Sequence, residues 1–236
     1  MITAIIFTLV ATHISVVLCS VYVHRGIAHK NLKFHPILSH AIRTWLWLTE
    51  SIIVKDWAST HQQHHAYADS ARDPHLDVQQ GVWRVSWLNF WQHLTSKFSH
   101  RARVRYGNFP GFDEDWADRN IYNRHYLLGL FLMLLIDILL FQWVGIMVWA
   151  VQMIWSPLWI SAVANGLGHY CGYRNYKTPD NSRNLWPVGI FIGGDEMHNN
   201  HHADPSIFKT SRKWWEFDIG WMYVTLFKRI GWIVVL

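Results

Sequence analysis

Histidine is the residue type in this sequence with the clearest capacity for chemistry. The chain has 236 residues and 16 histidines, and nine of these fall into short, recurring patterns. Two patterns are H-x-x-H-H triplets, one is an H-x4-H pair, and the last is a histidine four residues after an asparagine. These residues are His24, His29, His61, His64, His65, His169, His198, His201, His202 and Asn165.

The spacing of these histidines predicts metal binding. Residues three and four positions apart share one face of a helix, so each triplet directs three imidazoles into the same space. Nine nitrogen donors exceed what one ion binds, and a tetrahedral zinc site uses only four. The count therefore fits two metal ions with four or five nitrogen ligands each. Imidazole binds iron, zinc, copper and nickel alike, so the ligand type leaves the metal open.

The elements that must position these histidines are apolar. Charged residues make up 16% of the chain, against about a quarter in soluble domains. Residues 1–23 carry no Lys, Arg, Asp or Glu, and Asp137 is the only one in 125–173. Both runs exceed the ~20 residues that cross a bilayer, which excludes a soluble enzyme and a disordered chain. Cys19 and Cys171 are too few for a disulfide framework or an iron–sulfur cluster.

The sequence thus predicts an all-α integral membrane protein with one domain over residues 1–236. About three membrane spans are expected at 2–23, 126–144 and 147–169, with a turn near Val144-Gly145 joining the last two. All 21 Lys and Arg lie in segments 24–125 and 170–236, which the positive-inside rule places in the cytoplasm. The histidines then belong to a helical cytosolic cap that holds a dimetal site.

Two further segments mix apolar and charged residues, and we expect them to be interfacial helices. They cover residues 37–57 and 214–232. The basic segment 97–105 is expected to contact anionic lipid headgroups, an acidic electron donor or an acyl carrier's phosphates. The net charge of +5 follows from membrane topology, so we expect no nucleic-acid partner.

The motifs HRGIAH, HQQHH and HNNHH, in this order and with N-x3-H before the third, resemble those of membrane fatty acid desaturases of the stearoyl-CoA (delta-9) type. The flanking sequences DPH and GDEMHNNHHADP agree, and the tail WWEFDIGW resembles the bacterial branch. The resemblance covers nearly the whole chain. Two features depart from it: one membrane helix fewer precedes the first motif, and glutamine follows His61 where arginine is common.

This resemblance implies a di-iron centre that uses O2 to introduce a cis double bond into a saturated acyl chain. It implies no catalytic side chains beyond the metal ligands, and zinc is expected as a misloaded ion. One iron would be bound by His24, His29, His61, His65 and His201. The other would be bound by His64, His169, His198 and His202, with Asn165 reaching it through a water.

Carboxylates are expected to orient the ring N–H groups of metal-bound histidines. The acidic residues near the second and third motifs are the candidates for this role. They are Asp69, Asp73, Asp195 and Glu196.

Desaturation also consumes two external electrons per turnover, and the sequence contains no haem motif, G-x-G-x-x-G or cysteine cluster. We therefore expect an electron donor such as ferredoxin, or a cytochrome b5-type protein with its reductase. The acyl substrate could be carried by CoA, acyl carrier protein or a membrane lipid. The predicted location is the bacterial inner membrane, with the active site on the cytoplasmic side.

Two other functions remain open at this point. A di-iron hydroxylase of alkyl chains or sterols would use similar histidine motifs, although the HRGIAH spacing and N-x3-H favour desaturation. A membrane metal-binding or metal-transport protein is the alternative of a different class. Transporters need ionisable residues near the bilayer midplane, whereas these histidines lie at one edge.

Overall fold

Long helices built from the apolar runs form the frame of the protein. The computed structural model describes residues 1–75, 80–98 and 112–236, and it confirms the helical fold class. In chain order the α-helices are α1 (Ile2–Leu18), α2 (Pro36–Glu50), α3 (Val54–Tyr67), α4 (Val82–Ser96), α5 (Tyr126–Phe141), α6 (Val144–Ser156), α7 (His198–Ala203) and α8 (Ile219–Arg229). A short π-helix, Asp118–Tyr122, precedes α5.

Two of these helices widen as they approach the histidines. Helix α1 continues as a π-helix over Cys19–Ala28, and α6 continues as a π-helix over Pro157–Gly166. A short 3₁₀ turn, Leu167–His169, follows the second π segment. In π geometry each N–H bonds the carbonyl five residues back, a form found mostly as short segments at functional sites.

The three predicted spans correspond to helices with slightly different ends. Ile2–Ala28 and Val144–His169 are 27 and 26 residues long, and their length and composition suit a membrane crossing. Helix α5 is shorter, at 16 residues. The turn before α6 lies at Gln142, ahead of the predicted Val144-Gly145, because Gln142 takes a positive φ of 56°. Gly145 instead lies inside α6, where a Cβ would collide with the Asp137 carbonyl.

Apolar side chains cover the outside of this helical frame. Helix α1 packs on α6, and α2 packs on α5. Ile5, Ile6 and Leu9 on α1 are exposed, as is Leu139 on α5. An exposed apolar surface on long apolar helices is the arrangement expected where lipid replaces water.

The segment 37–57 is two helices instead of the one that we expected, while its place at the membrane interface stays a prediction. Helix α2 ends at Glu50, because the next residue, Ser51, takes a φ of 54°, and α3 begins at Val54. The charges of α2 are buried in ion pairs instead of facing headgroups. Arg43 pairs with Asp118, and Glu50 pairs with Lys97 at 2.6 Å. Residues 99–105 of the predicted basic segment lie outside the described residues.

Two short strand pairs, which the sequence did not predict, fasten the C-terminal region. Strand β1 (Leu32–Phe34) pairs antiparallel with β4 (Ile233–Val235). Strand β2 (Val188–Gly189) pairs parallel with β3 (Phe217–Asp218). The first pair connects the residues after the first histidine motif to residues 233–235. The second pair connects the residues before the third motif to residues 217–218.

Helix α4 packs antiparallel to the π segment of α6. The Nδ1 of His93 lies 2.6 Å from the Ser161 hydroxyl, and Ser86 packs on Gly166. A Cβ at Gly166 would lie 2.5 Å from the Ser86 hydroxyl oxygen and 3.0 Å from its Cα. The absence of a side chain at Gly166 therefore allows α4 to close over the histidine region.

We expect Gly166→Ala to lower the free energy of unfolding by about 1–3 kcal/mol, because overpacking outweighs the gain in helix propensity of about 1 kcal/mol. Thermal unfolding of the purified protein in detergent measures the loss. Adding Ser86→Ala should restore much of it, since this change removes the 2.5 Å contact. A Gly166→Ala protein that is as stable as the wild type would contradict this packing.

Candidate metal centre

The structure brings all nine histidines together in two groups. The first group contains His24, His29, His61, His65 and His201, and the second contains His64, His169, His198 and His202. Within each group, one ring nitrogen from every histidine lies within 4.8 Å of the others. This division is the same as the one the sequence motifs implied, while the binding of metal by these residues stays a prediction.

The π segment of α1 explains how His24 and His29 join one group. In an α-helix, residues five apart point about 140° away from each other. In a π-helix they are neighbours, because the hydrogen bond itself connects them. The backbone N–H of His29 donates to the His24 carbonyl at 3.1 Å, and the two rings lie 5.0 Å apart. The H-x4-H spacing therefore matches a helix of this width.

Helices α3 and α7 share their histidines between the groups in opposite ways. On α3, His61 and His65 enter the first group and His64 enters the second. On α7 the first and last histidines of the triplet, His198 and His202, enter the second group, and His201 enters the first. Each triplet thus contributes to both groups, so the two groups are held side by side.

The distances between nitrogens match those around a metal ion. The Nε2 atoms of His24 and His201 are 2.9 Å apart, and those of His61 and His65 are 3.0 Å apart. In the second group, His169 and His198 bring their Nε2 atoms to 3.1 Å. Two nitrogens at right angles, each about 2.1 Å from one ion, would lie about 3.0 Å apart.

Two of the predicted carboxylates bind the outward nitrogens of these rings. Asp195 Oδ2 lies 3.0 Å from His24 Nδ1, and Asp73 Oδ1 lies 3.0 Å from His64 Nδ1. A carboxylate at Nδ1 fixes the proton there and leaves the Nε2 lone pair facing the group. The Nε2 atom of His64 has no hydrogen-bond partner among the described residues, although it is buried.

The second group has two more carboxylates at its edge. Asp69 Oδ1 lies 2.9 Å from His169 Nδ1, and Asp180 Oδ2 lies 2.8 Å from His202 Nδ1. Asp180 was missed by the sequence analysis, because it lies in a loop outside every histidine motif. The buried Nε2 of His202 also has no partner in the part of the chain that the structure describes.

Burial keeps several of these imidazoles neutral. Desolvation, with a smaller effect from neighbouring histidines, lowers the pKa of His61, His64, His198 and His201 well below its usual value. The same causes lower the pKa of His65 to about 3. A neutral imidazole is the form that binds metal. The buried nitrogen lone pairs converge at separations of about 3 Å, which suits a cation between them. Such a cation would supply the partner that the nitrogens lack.

Glu196 does not have the role predicted for it. Its two carboxylate oxygens accept hydrogen bonds from the backbone N–H groups of Ile192 at 2.8 Å and Gly194 at 3.0 Å. Burial raises the pKa of Glu196 to about 7. The side chain thus shapes the loop before α7 instead of orienting an imidazole.

Asn165 lies at the edge of the second group, beside a histidine that the motif analysis left out. Its Nδ2 is 3.4 Å from His75 Nε2, and the His75 ring lies 4.9 Å from the His64 ring. Burial lowers the pKa of His75 to about 4. In the sequence, the signal for His75 was the DPH motif that follows the second histidine motif. In the structure, the Asp73 carboxylate of this motif accepts the backbone N–H of His75.

Arg25 is a further residue that sequence reasoning missed. It follows His24 directly, and its side chain is buried. The guanidinium donates to Asp218 at 3.0 Å, to the Gly193 carbonyl at 2.6 Å and to Asp195 at 3.3 Å. One cation therefore joins α1, the loop before α7 and the N-terminus of α8, and it positions the carboxylate that binds His24.

The asparagines between the histidines of α7 anchor this short helix. Asn199 Oδ1 accepts the backbone N–H of Asn175 at 2.9 Å, and Asn200 Nδ2 donates to Glu216 at 2.8 Å. Asn200 Oδ1 also accepts from Asn184. Six residues make too little helix to be stable alone, so these side-chain bonds fix the direction of His198, His201 and His202.

A cavity adjoins the first group. His61 from the first group lines it, as do Asn165 and His75 at the edge of the second. Its remaining wall comes from the α2–α3 junction, α4 and the π segment of α6, and it includes Ile52, Trp57 and Ile160. A substrate in this cavity would lie against His61 of the first group, and against Asn165 and His75 beside the second.

A sequence model described as Fatty acid desaturase matches residues 2–229. The chain belongs to the fatty acid desaturase family. Among its relatives is Delta-9 acyl-lipid desaturase 2 of Arabidopsis thaliana, which is 34% identical over 88% of this chain and 66% of its own length. Membership of this family and the two long apolar helices indicate that the protein is associated with a membrane.

Cyanobacterial desaturases are similar as well. The sn-2 palmitoyl-lipid 9-desaturase of Nostoc sp. is 30% identical over 92% of this chain and 75% of its own length. The sn-1 stearoyl-lipid 9-desaturase of Anabaena variabilis is 29% identical over 85% of this chain and 75% of its own. The chain thus spans about two thirds to three quarters of these desaturases. The relatives include plant proteins, so the bacterial branch stays a prediction.

We expect Asp180→Asn to weaken metal binding about 10–100-fold, because His202 loses the anionic partner that increases its donor strength. Competition with a chelator, read by the metal retained on the protein, measures the change. Asp204→Asn is the matched control, since the Asp204 carboxylate bonds Ser206 instead of an imidazole. Equal affinities for the two variants would contradict the orienting role of Asp180.

Proposed function

We propose that this protein is an O2-dependent desaturase that introduces a cis double bond into a saturated fatty acyl chain with a di-iron centre. The observation that carries this proposal is the pairing of two all-histidine groups, the first of which lines a cavity through His61. The membership of the desaturase family and the names of its relatives support the substrate class. The short distance between the groups supports two ions acting on one substrate.

The proposed iron ligands are the nine histidines of the two groups, with Asn165 reaching the second ion through a water. Bound iron would supply the oxidising power that activates O2 and removes hydrogen from an unactivated C–H bond. Asp195, Asp73 and Asp180 hold protons on the outward ring nitrogens of their histidines, so the inward nitrogens stay free to bind. Zinc would fit the same donors, and we propose that it occupies them only when misloaded.

The described residues around the cavity exclude water and position the substrate. Ile52, Trp57 and Ile160 offer apolar surface for a methylene chain. Helix α4 covers the cavity from the opposite side, through its contacts with Ser161 and Gly166. Excluding water protects a strong oxidant from side reactions.

An acyl group of a membrane lipid is the proposed substrate, in preference to acyl-CoA or an acyl carrier protein. Three of the relatives carry lipid-linked acyl substrates in their names. A protein with exposed apolar helices can take such a substrate directly from the bilayer. We further propose the bacterial inner membrane as its location, with the histidines on the cytoplasmic side as the charge distribution predicts.

The reaction needs a partner that provides electrons. Forming a double bond while reducing O2 to two waters consumes two electrons and two protons beyond the two hydrogens taken from the chain. The two cysteines, Cys19 and Cys171, cannot hold an iron–sulfur cluster. We propose ferredoxin, or a cytochrome b5-type protein with its reductase, as the donor.

Expression of this chain in cells with a compatible donor should produce a new monounsaturated acyl group in membrane lipids. Mass spectrometry of the extracted fatty acids measures the product and its double-bond position. The control is His198→Ala/His202→Ala, which removes two donors from the second group. Product in the control would contradict the proposal, and a hydroxylated chain in place of an alkene would indicate the hydroxylase.

Purified protein from iron-supplemented cells should contain two metal ions per chain, because the donors form two groups. His198→Ala/His202→Ala should retain only the ion of the first group. Elemental mass spectrometry gives both counts, and zinc in place of iron leaves the stoichiometry unchanged. A single ion in the wild type, or complete loss in the variant, would show that the two groups do not act as separate sites.

A further inference from the structure

Asn89, on α4, presents a buried amide to the cavity without a hydrogen-bond partner. The residue is 2% exposed, and neither its Nδ2 nor its Oδ1 atom has a partner among the described residues. An amide in this state costs free energy, because it has lost water and gained no other hydrogen bond. Native proteins leave few buried polar groups unpaired unless a water or a ligand completes them. The Asn89 amide therefore indicates where the cavity receives a polar group.

Other polar side chains of the cavity wall already have partners within the protein. Glu50 accepts a hydrogen bond from Lys97 Nζ at 2.6 Å. His93 Nδ1 lies 2.6 Å from the Ser161 hydroxyl oxygen. These groups need no hydrogen bond from a ligand, whereas the amide of Asn89 needs both a donor and an acceptor.

The helix register places this amide close to the second histidine group. Ser86, Asn89 and His93 are three and four residues apart, so they share the face of α4 that packs on the π segment. Ser86 contacts Gly166, which directly follows Asn165. Asn89 comes three residues after Ser86, which at helical rise is ~4.5 Å along α4.

This separation relates the amide to the reacting carbons. An extended alkyl chain advances ~1.3 Å per carbon, given a C–C bond of about 1.5 Å. A chain that reacts beside Asn165 would therefore pass Asn89 with a carbon about three to four positions away from the new double bond.

We propose that the substrate is a saturated acyl chain that carries a hydroxyl group, and that Asn89 binds this hydroxyl. A hydroxyl can accept a hydrogen bond from Nδ2 and donate one to Oδ1, so it satisfies both halves of the amide. An ester carbonyl only accepts, and a plain methylene chain does neither. This inference deepens the proposed function and rests on it for the reaction, while the binding can be measured without turnover.

Binding to the purified wild-type protein tests the inference. The probes are octadecanoic acid and its monohydroxylated isomers, with the hydroxyl moved carbon by carbon along the chain. Affinity is measured by thermal stabilisation over a range of probe concentrations. One isomer, or two neighbouring isomers, should bind about tenfold more tightly than octadecanoic acid, because only these pair the buried amide.

Two alanine variants make the result specific. Asn89→Ala removes the amide without adding bulk, so the preferred isomer should lose its tenfold advantage over octadecanoic acid. Asn120→Ala is the matched control, because the Asn120 amide donates to the Trp116 carbonyl and does not line the cavity. This control should keep the advantage. Each comparison is made within one variant, so a general change in stability affects both acids alike.

The outcomes separate this inference from the proposed function. If no hydroxylated isomer binds the wild type more tightly than octadecanoic acid, Asn89 pairs with water only and the inference is overturned. An advantage that survives in Asn89→Ala would overturn it as well. If cells desaturate plain chains and show no preference for the hydroxylated ones, the proposed function stands without this inference. If the preferred isomer binds through Asn89 and no acid is desaturated, the proposed function fails and the binding site stands.

Discussion

Nine imidazoles lie side by side in the interior, and this arrangement constrains the rest of the structure. Their nitrogens approach to about 3 Å, a distance at which facing lone pairs repel unless a cation lies between them. Holding such an arrangement requires rings that cannot turn away. Carboxylates at Nδ1, the buried Arg25 and the asparagines of α7 supply that rigidity from elements far apart in the sequence.

Much of the site could be predicted from the sequence, because local spacing on helices determines which histidines share a face. The motifs and the family they resemble predicted the division into groups of five and four. They also predicted three of the four carboxylates that lie against the histidines. Asp180 could not be predicted, since a loop residue reaches His202 only through the tertiary fold. The role of Arg25 was not predicted for a related reason, because its partners lie about 170 to 190 residues away in the sequence.

The fold was predictable to a similar extent. Long apolar runs without charges identified the main helices, and the structure moved the turn before α6 by a few residues. The sequence did not predict the break at Ser51 that divides segment 37–57 into two helices. Its charged residues suggested exposure. Arg43 and Glu50 are instead buried against partners from distant segments, which periodicity alone cannot reveal. Short strand pairs of two or three residues also leave no pattern in the sequence.

The π-helical segments Cys19–Ala28 and Pro157–Gly166 limit which insertions and deletions this protein can accept in evolution. A π-helix contains one residue more per hydrogen-bonded ring than an α-helix, so losing one residue restores ordinary geometry. In α1 that loss would turn the residues beyond it by about 100° relative to those before. Insertions and deletions should therefore be tolerated in the surface loops and excluded from these two segments, even where substitutions are accepted.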